Sequence, residues 1–272
     1  MTARRLAAAA AFAALARGTT AAPLPERGYG LPRDASAHGH LVDWLIHFTL
    51  VAGTVIFFVV GAVLLVALVR HRRGRIADYE PGSRRSVALV VGFVALVVVA
   101  VDGTLFVSTL RDMSHVFWNF AAAEAQPHAV RIEVQAHQWA WQARYSGPDG
   151  VFATPDDVVT LNDIRVPAGA PVVLQLASVD VIHSLYLPNF RVKQDAVPGT
   201  ITKMTFEGVT PGEFEIACAQ HCGPNHYKMR GILTVLEPDR YREWLRSAEA
   251  DARRAFDPED AGARWGWEWR TE

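Results

Sequence analysis

Two long apolar stretches near the start of the chain predict a pair of membrane-spanning helices. Positions 48–69 carry no charged side chain, and positions 86–110 contain only one, Asp102. A helix as long as the first stretch covers about 33 Å, which is enough for the hydrocarbon core of a bilayer. A buried helix of a soluble protein can be equally apolar. Two such stretches in tandem, flanked by arginines, favour a transmembrane hairpin over 44–111, with helices at 45–69 and 86–110.

The connection between these stretches predicts their orientation. Positions 70–85 carry six arginines, namely Arg70, Arg72, Arg73, Arg75, Arg84 and Arg85. Short basic loops remain on the cytoplasmic side, so the parts of the chain before and after the hairpin are expected outside. Asp102 lies in the outward half of its helix. There we expect it to reach the interface or a partner subunit rather than to serve a proton path.

The extreme N-terminus has the pattern of a secretory signal peptide. Arg4 and Arg5 precede a run of small apolar residues that contains Ala-x-Ala-like sites. The run is too short to span a bilayer, and the order of these features is typical of a cleaved leader. We therefore predict a signal peptide at 1–22 and an outward-facing segment at 23–43.

From Val130 onward the hydrophobic pattern changes to a period of two, which is typical of half-buried strands. Val130, Ile132 and Val134 share one face of the first run. Further strand-like runs lie at 139–145, 150–154, 171–177, 181–187, 189–194, 200–206, 213–217 and 230–236. Turn-forming Gly and Pro separate several of them. The predicted fold class is therefore mainly β, with an antiparallel β-sandwich or barrel at 112–238.

The last segment, 239–272, departs from the strand pattern. Its first part reads as an amphipathic helix that begins at the acidic residue Asp239, and its end is rich in tryptophan. The tryptophan-rich end gives no prediction of fold or purpose.

Charge excludes some functions and divides the chain. The 27 basic and 28 acidic side chains give a net charge of −1, which argues against a nucleic-acid partner. Positions 112–239 carry 14 acids and 8 bases, a net charge of −6. An outward domain of this charge would attract a basic protein, although ordinary solubility also accounts for it.

Metal-binding side chains concentrate in one predicted loop. Cys218, Cys222, His226 and Met229 lie close together along the chain, and His183 lies on an earlier strand. Thiolate, thioether and imidazole together select copper. A mononuclear blue-copper site would use His183, Cys222, His226 and Met229 and leave Cys218 over.

If both thiolates bridge two coppers, no ligand is left over. Each copper then takes one imidazole, and the weak axial ligands are Met229 and the backbone carbonyl of Gln220. A disulfide between Cys218 and Cys222 is the alternative that involves no metal. His221, between the cysteines, competes as a ligand, and we assign it no copper.

The pattern Cys-x-x-x-Cys-x-x-x-His-x-x-Met, with Asp180-Val-Ile-His183-Ser and positions 190–199 before it, resembles the CuA domain of cytochrome c oxidase subunit II. The resemblance covers nearly the whole chain. It implies a cupredoxin-like sandwich with a dinuclear copper centre at the residues named above. It also makes Trp139 the residue at which electrons enter. On the residues alone, Trp139 and Trp141 could both be core aromatics.

The family implies a function and partners. Electrons would pass from cytochrome c through the copper pair to haem a and CuB of the large subunit I, where oxygen becomes water and protons are translocated. The chain would sit with other oxidase subunits in the lipid of a bacterial plasma membrane, with its copper domain on the periplasmic side. The alternatives are the CuA subunit of a nitric oxide reductase and a membrane-tethered copper carrier. A quinol oxidase subunit is disfavoured because such subunits lack the copper ligands.

Three positions depart from the family pattern. Gln220 replaces the glutamate whose carboxylate binds magnesium at the interface with the large subunit, so we expect weak or absent magnesium there. The start of the second helix lacks the glutamate that opens a proton path in many relatives. Arg144 stands where relatives often have an acid, so we expect a rearranged docking patch.

Overall fold

The computed structural model describes residues 30–72 and 82–255 of the 272-residue chain. These residues fall into two compact units. One contains residues 40–119, and the other contains residues 30–39 together with 120–255. The predicted signal peptide, Arg73 and Arg75 of the predicted loop, and the tryptophan-rich end lie outside the described residues.

The first unit is built from two long helices, α1 (Gly39–Arg70) and α2 (Arg84–Asp112). Both contain the predicted membrane stretches and extend beyond them at each end. The hydroxyl of Ser83 caps α2 by accepting a hydrogen bond from the backbone N–H of Ser86, at 3.2 Å. At its other end α2 runs into a π-helical turn, Met113–Phe117. Both helices are long and apolar enough to cross a membrane, and none of the residues in their most apolar windows is buried.

The second unit is a β-sandwich flanked by two helices. After a short helix α3 (Phe120–Glu124), its ten described strands are β1 (Val130–His137), β2 (Ala140–Tyr145), β3 (Val158–Leu161), β4 (Asp163–Pro167), β5 (Pro171–Ser178), β6 (His183–Leu187), β7 (Val192–Ala196), β8 (Thr202–Glu207), β9 (Gly212–Cys218) and β10 (Arg230–Leu236). Helix α4 (Pro238–Ala255) follows. The predicted fold class, two apolar helices followed by a β-sandwich and a C-terminal helix, is confirmed.

The strands form two five-stranded sheets, in the orders β3-β2-β1-β5-β8 and β4-β10-β9-β6-β7. Most neighbours are antiparallel, as predicted. Two pairs differ: β1 runs parallel to β5, and β4 runs parallel to β10. Both pairs join strands that are distant in sequence, so no hairpin turn dictates their direction.

One predicted strand, at 150–154, is instead a turn. Gly150 and Ala153 both have positive φ angles, +70° and +66°. The carboxylate of Asp157 accepts the backbone N–H of Ala153 at 2.7 Å, which holds the chain in a compact loop. The strands β3 and β4 follow this loop, where the sequence pattern predicted none.

The core lies between the two sheets. Trp141, Leu174, Leu185, Ile216 and Leu233 are fully buried. Removing one such side chain from water stabilises the fold by about 1.5–3 kcal/mol. The apolar face of β1 belongs to this core, and Glu133 and Gln135 on its polar face are buried as well.

A buried ion pair joins the neighbouring strands β1 and β2. Arg144 has no exposed surface, and its Nε donates to Glu133 Oε2 at 2.8 Å. The carboxylate of Asp157 lies 3.7 Å from the same Nε. Arg144 is therefore internal, and the expectation that it alters a docking patch is wrong.

Candidate metal centre

One end of the sandwich brings together three connections that are far apart in sequence. They are the turn between β1 and β2, the segment just before β6, and the loop between β9 and β10. The side chain of Gln138, in the first, donates to the backbone carbonyl of Cys222, in the third, at 2.8 Å. The backbone N–H of Gln138 donates to Asp180, in the second, at 2.6 Å. These two hydrogen bonds hold the three connections together at the site.

His183 begins β6 and has no exposed surface. Its Nε2 lies 2.8 Å from Asp180 Oδ1, and its Nδ1 lies 3.1 Å from the sulfur of Met229. A carboxylate accepts only from a protonated ring nitrogen, so Asp180 favours the tautomer with the proton on Nε2. The lone pair of Nδ1 then faces the sulfur atoms.

The two cysteine sulfurs lie 3.7 Å apart, and both cysteines are free. A disulfide bond is about 2.05 Å long, so this separation does not correspond to one. The Sγ of Cys218 is also 3.3 Å from the backbone oxygen of Gln220. The side chain of Gln220 is exposed.

The remaining two predicted ligands complete the same cluster. His226 Nδ1 lies 3.6 Å from Cys222 Sγ, and Met229 Sδ lies 3.8 Å from the same sulfur. Met229 is buried, whereas His226 is half-buried. Every side chain that the sequence predicted as a ligand therefore belongs to one continuous set of contacts.

The thiols differ in acidity. Burial opposes ionisation of Cys218, but hydrogen bonds with His183 and with neighbouring backbone groups lower its pKa to about 6. Burial, reinforced by the contact with Cys218, raises the pKa of Cys222 to about 12. Cys218 therefore loses its proton readily, and its negative charge disfavours ionisation of Cys222. A bound cation would remove that opposition, which is the condition under which both act as ligands.

Trp139 lies at the edge of this cluster. Its indole Nε1 donates to the carbonyl of Cys222 at 3.1 Å, and the side chain is half-buried. Gly223 provides the space, because a Cβ there would lie 3.2 Å from Trp139 Cζ2 and 2.9 Å from Gln138 Nε2. Trp141 is different: it is a core residue, and its ring meets that of His183 edge-on with centroids 6.0 Å apart.

His221 is not part of the sulfur cluster. Its side chain is exposed, and its ring centroid lies 5.8 Å from that of His226. Conversely, sequence reasoning gave no role to Asp180, although it bonds both His183 and the turn that carries Trp139. Its position three residues before a predicted ligand was the available signal.

The donor set fits a soft metal ion. His183, Cys218 and Cys222 offer ligand atoms that all lie within 4.8 Å of one another. Thiolate and imidazole, with a thioether beside them, suit copper rather than magnesium or calcium.

Comparison with known proteins identifies the family of the chain. The family model "Cytochrome C oxidase subunit II, periplasmic domain" matches residues 130–236. The chain is 31% identical over 233 residues to the alternative cytochrome c oxidase subunit 2 of Bradyrhizobium diazoefficiens, covering 76% of this chain and 77% of that protein. It is 28% identical over 269 residues to the cytochrome c oxidase subunit 2 of Thermostichus vulcanus, covering 82% and 79%. A solved periplasmic domain of subunit II from Bradyrhizobium japonicum matches with a TM-score of 0.40 and 26% identity, covering 45% of this chain and 94% of that one.

The protein is thus a membrane-anchored chain whose β-domain matches the periplasmic domain of an oxidase subunit. The chain belongs to the cytochrome c oxidase subunit II family, as its sequence motifs predicted. Members of that family are copper-binding subunits of an oxidoreductase complex.

Proposed function

We propose that this chain is the electron-accepting subunit of a cytochrome c oxidase in a bacterial plasma membrane. In this proposal Cys218 and Cys222 would both hold two coppers. His183 and His226 would each hold one of them, and Met229 and the backbone carbonyl of Gln220 would be the weak further ligands. The convergence of these groups in one cluster is the observation that carries the proposal.

Copper held by these residues would supply one-electron transfer between a soluble cytochrome c and the haem a and CuB of subunit I. The chain's own residues supply a stiff, partly dry site for this exchange. His183 and Met229 are buried, and Asp180 holds the imidazole in one orientation. His183 begins β6, Cys218 ends β9 and Met229 directly precedes β10, so these three proposed ligands are anchored to the packed sandwich, which suits electron transfer.

Trp139 is the proposed point at which electrons enter. It reaches from the exposed turn between β1 and β2 to the carbonyl of Cys222, so a single hydrogen bond separates an accessible indole from a ligand residue. The net charge of −6 on positions 112–239 supports a basic donor, because opposite charges speed encounter.

Rapid-mixing reduction of the copper-loaded full chain by cytochrome c tests this assignment. Trp139→Phe should slow reduction strongly while leaving the copper content unchanged, since Gln138 still bonds the Cys222 carbonyl. The matched control is Trp118→Phe, an exposed tryptophan of the helical unit, which should leave the rate unchanged. Rates should also fall with added salt. An unaltered rate in Trp139→Phe would remove this residue from the electron path.

The magnesium site expected in the wider family is proposed to be weak or missing here. The Gln220 side chain is exposed and neutral, and magnesium prefers charged oxygen ligands.

A further inference from the structure

Helix α2 contains a carboxylate, that of Asp102, which the described part of the chain leaves unsatisfied. Asp102 is exposed, and within residues 30–72 and 82–255 no group donates a hydrogen bond to it or pairs with it. The nearby hydroxyl of Thr104 differs, because it donates to the carbonyl of Ala100 in the same helix at 2.6 Å. Asp102 is therefore the charged group on this stretch that requires an external partner.

The position of Asp102 along the helix is too deep for the membrane surface. Arg85 and Arg111 bracket the apolar stretch, and Asp102 lies about 14 Å along the axis from Arg111. It is about 6 Å from the middle of the bracketed stretch, whereas the hydrocarbon core extends about 15 Å on either side of its centre. Trp118, 64% exposed, lies further outward still, as expected of an interfacial aromatic residue.

An aspartate at this depth cannot reach water. Long Lys and Arg side chains extend to the headgroups, but the aspartate side chain is only a few ångströms long. Lipid tails offer no hydrogen bond, and an unsatisfied polar group in hydrocarbon is strongly disfavoured. The partner of Asp102 is therefore protein at the same depth.

We propose that Asp102 contacts a membrane-spanning segment of the large oxidase subunit, which presents a hydrogen-bond donor or a basic side chain to this carboxylate. The adjacent Gly103 has nothing within 4 Å of where its Cβ would be, so a neighbouring helix can approach closely there. A symmetric contact between two copies of this chain would set carboxylate against carboxylate, which favours a different subunit as the partner. The inference rests on the proposed function, which supplies that subunit.

The test is assembly of the complex around full-length variants. The tagged chain is produced together with the other oxidase subunits, extracted in mild detergent, and the haem recovered per tagged chain is measured. Asp102→Leu should lower this ratio at least about threefold, because an interhelical hydrogen bond in the membrane is lost. Asp102→Asn, whose amide can still accept a hydrogen bond, should retain more haem than Asp102→Leu.

Two controls separate this result from misfolding. Leucine favours membrane insertion over aspartate, so the amount of Asp102→Leu in the membrane fraction should not fall. Thr104→Val removes a hydroxyl that bonds within its own helix and should keep the wild-type haem ratio. A wild-type ratio in Asp102→Leu overturns the proposal, as does a loss that merely follows a lower amount of chain in the membrane.

Other outcomes also contradict it. If Asp102→Leu dissociates a dimer of this chain without loss of haem, the partner is a second copy. If Asp102→Asn assembles fully but loses turnover, the carboxylate serves proton movement instead. The copper signal of the isolated wild-type chain is recorded in parallel. Its absence would defeat the proposed function, whereas its presence together with an unaffected haem ratio would defeat the Asp102 contact alone.

Discussion

At the scale of single residues, Asp180 shows how the proposed metal site depends on a residue that is not one of its proposed ligands. Its carboxylate accepts hydrogen bonds from His183 and from the backbone of Gln138. Burial opposes ionisation of Asp180, but the hydrogen bonds, above all the one with His183, outweigh it and lower the pKa of this carboxyl. Asp180 therefore joins the imidazole ligand to the turn that carries Trp139.

Replacing Asp180 by asparagine should weaken copper binding about 10–100-fold, because the imidazole loses its orienting carboxylate. Competition with a copper chelator measures the effect. Asp149→Asn is the matched control, since Asp149 caps a loop at the other end of β2 by accepting the N–H of Val151. Equal affinities of Asp180→Asn and the wild type would show that the imidazole is held by packing alone.

Gln220 permits a test that separates its backbone from its side chain. Gln220→Glu should create a tighter magnesium or manganese site in the assembled complex, because it adds a hard anionic oxygen. The copper spectrum should stay the same, since the predicted copper ligand is the backbone carbonyl. Manganese binding followed by electron paramagnetic resonance, with Gln220→Ala for comparison, is the measurement. No gain in manganese affinity would refute the explanation based on side-chain charge.

At the scale of elements, strands and helices were predictable where their pattern is local. The alternation at 130–136 identified β1, and the two long apolar stretches identified α1 and α2. The strand predicted at 150–154 failed because Asp157 captures the N–H of Ala153, a contact that hydrophobic pattern does not encode. The parallel pairing of β1 with β5 also could not be predicted from the sequence, since several other strands lie between them along the chain.

The buried pair of Arg144 and Glu133 ties β1 to β2 and should matter for stability. Arg144→Leu leaves the Glu133 carboxylate buried without its main partner, and we expect a loss of about 3–5 kcal/mol. Thermal or denaturant unfolding of the detergent-solubilised chain measures it. The control Arg230→Ala breaks an exposed pair with Glu215 at 3.3 Å and should change stability by less than about 1 kcal/mol. Similar effects from both changes would contradict the role assigned to burial.

At the scale of the whole molecule, the sequence predicted the helices, the sandwich and the candidate ligands more completely than the contacts between them. The proposed ligand residues were chosen from chemistry and spacing, and the family resemblance added Trp139 as the proposed entry point. The hydrogen bonds of Gln138, Trp139 and Asp180 around Cys222 and His183 required the fold, because three distant connections meet there. The net charge of −6 was visible in the sequence, but the burial of Arg144 was not.

The central claim is that both cysteines bridge a pair of coppers. Electron paramagnetic resonance of the copper-loaded full chain tests it most directly. We predict a spectrum split by two equivalent copper nuclei, with two coppers per chain, and loss of that spectrum in Cys218→Ser. A spectrum split by one copper nucleus that persists unchanged in Cys218→Ser would contradict the claim and favour a mononuclear copper carrier.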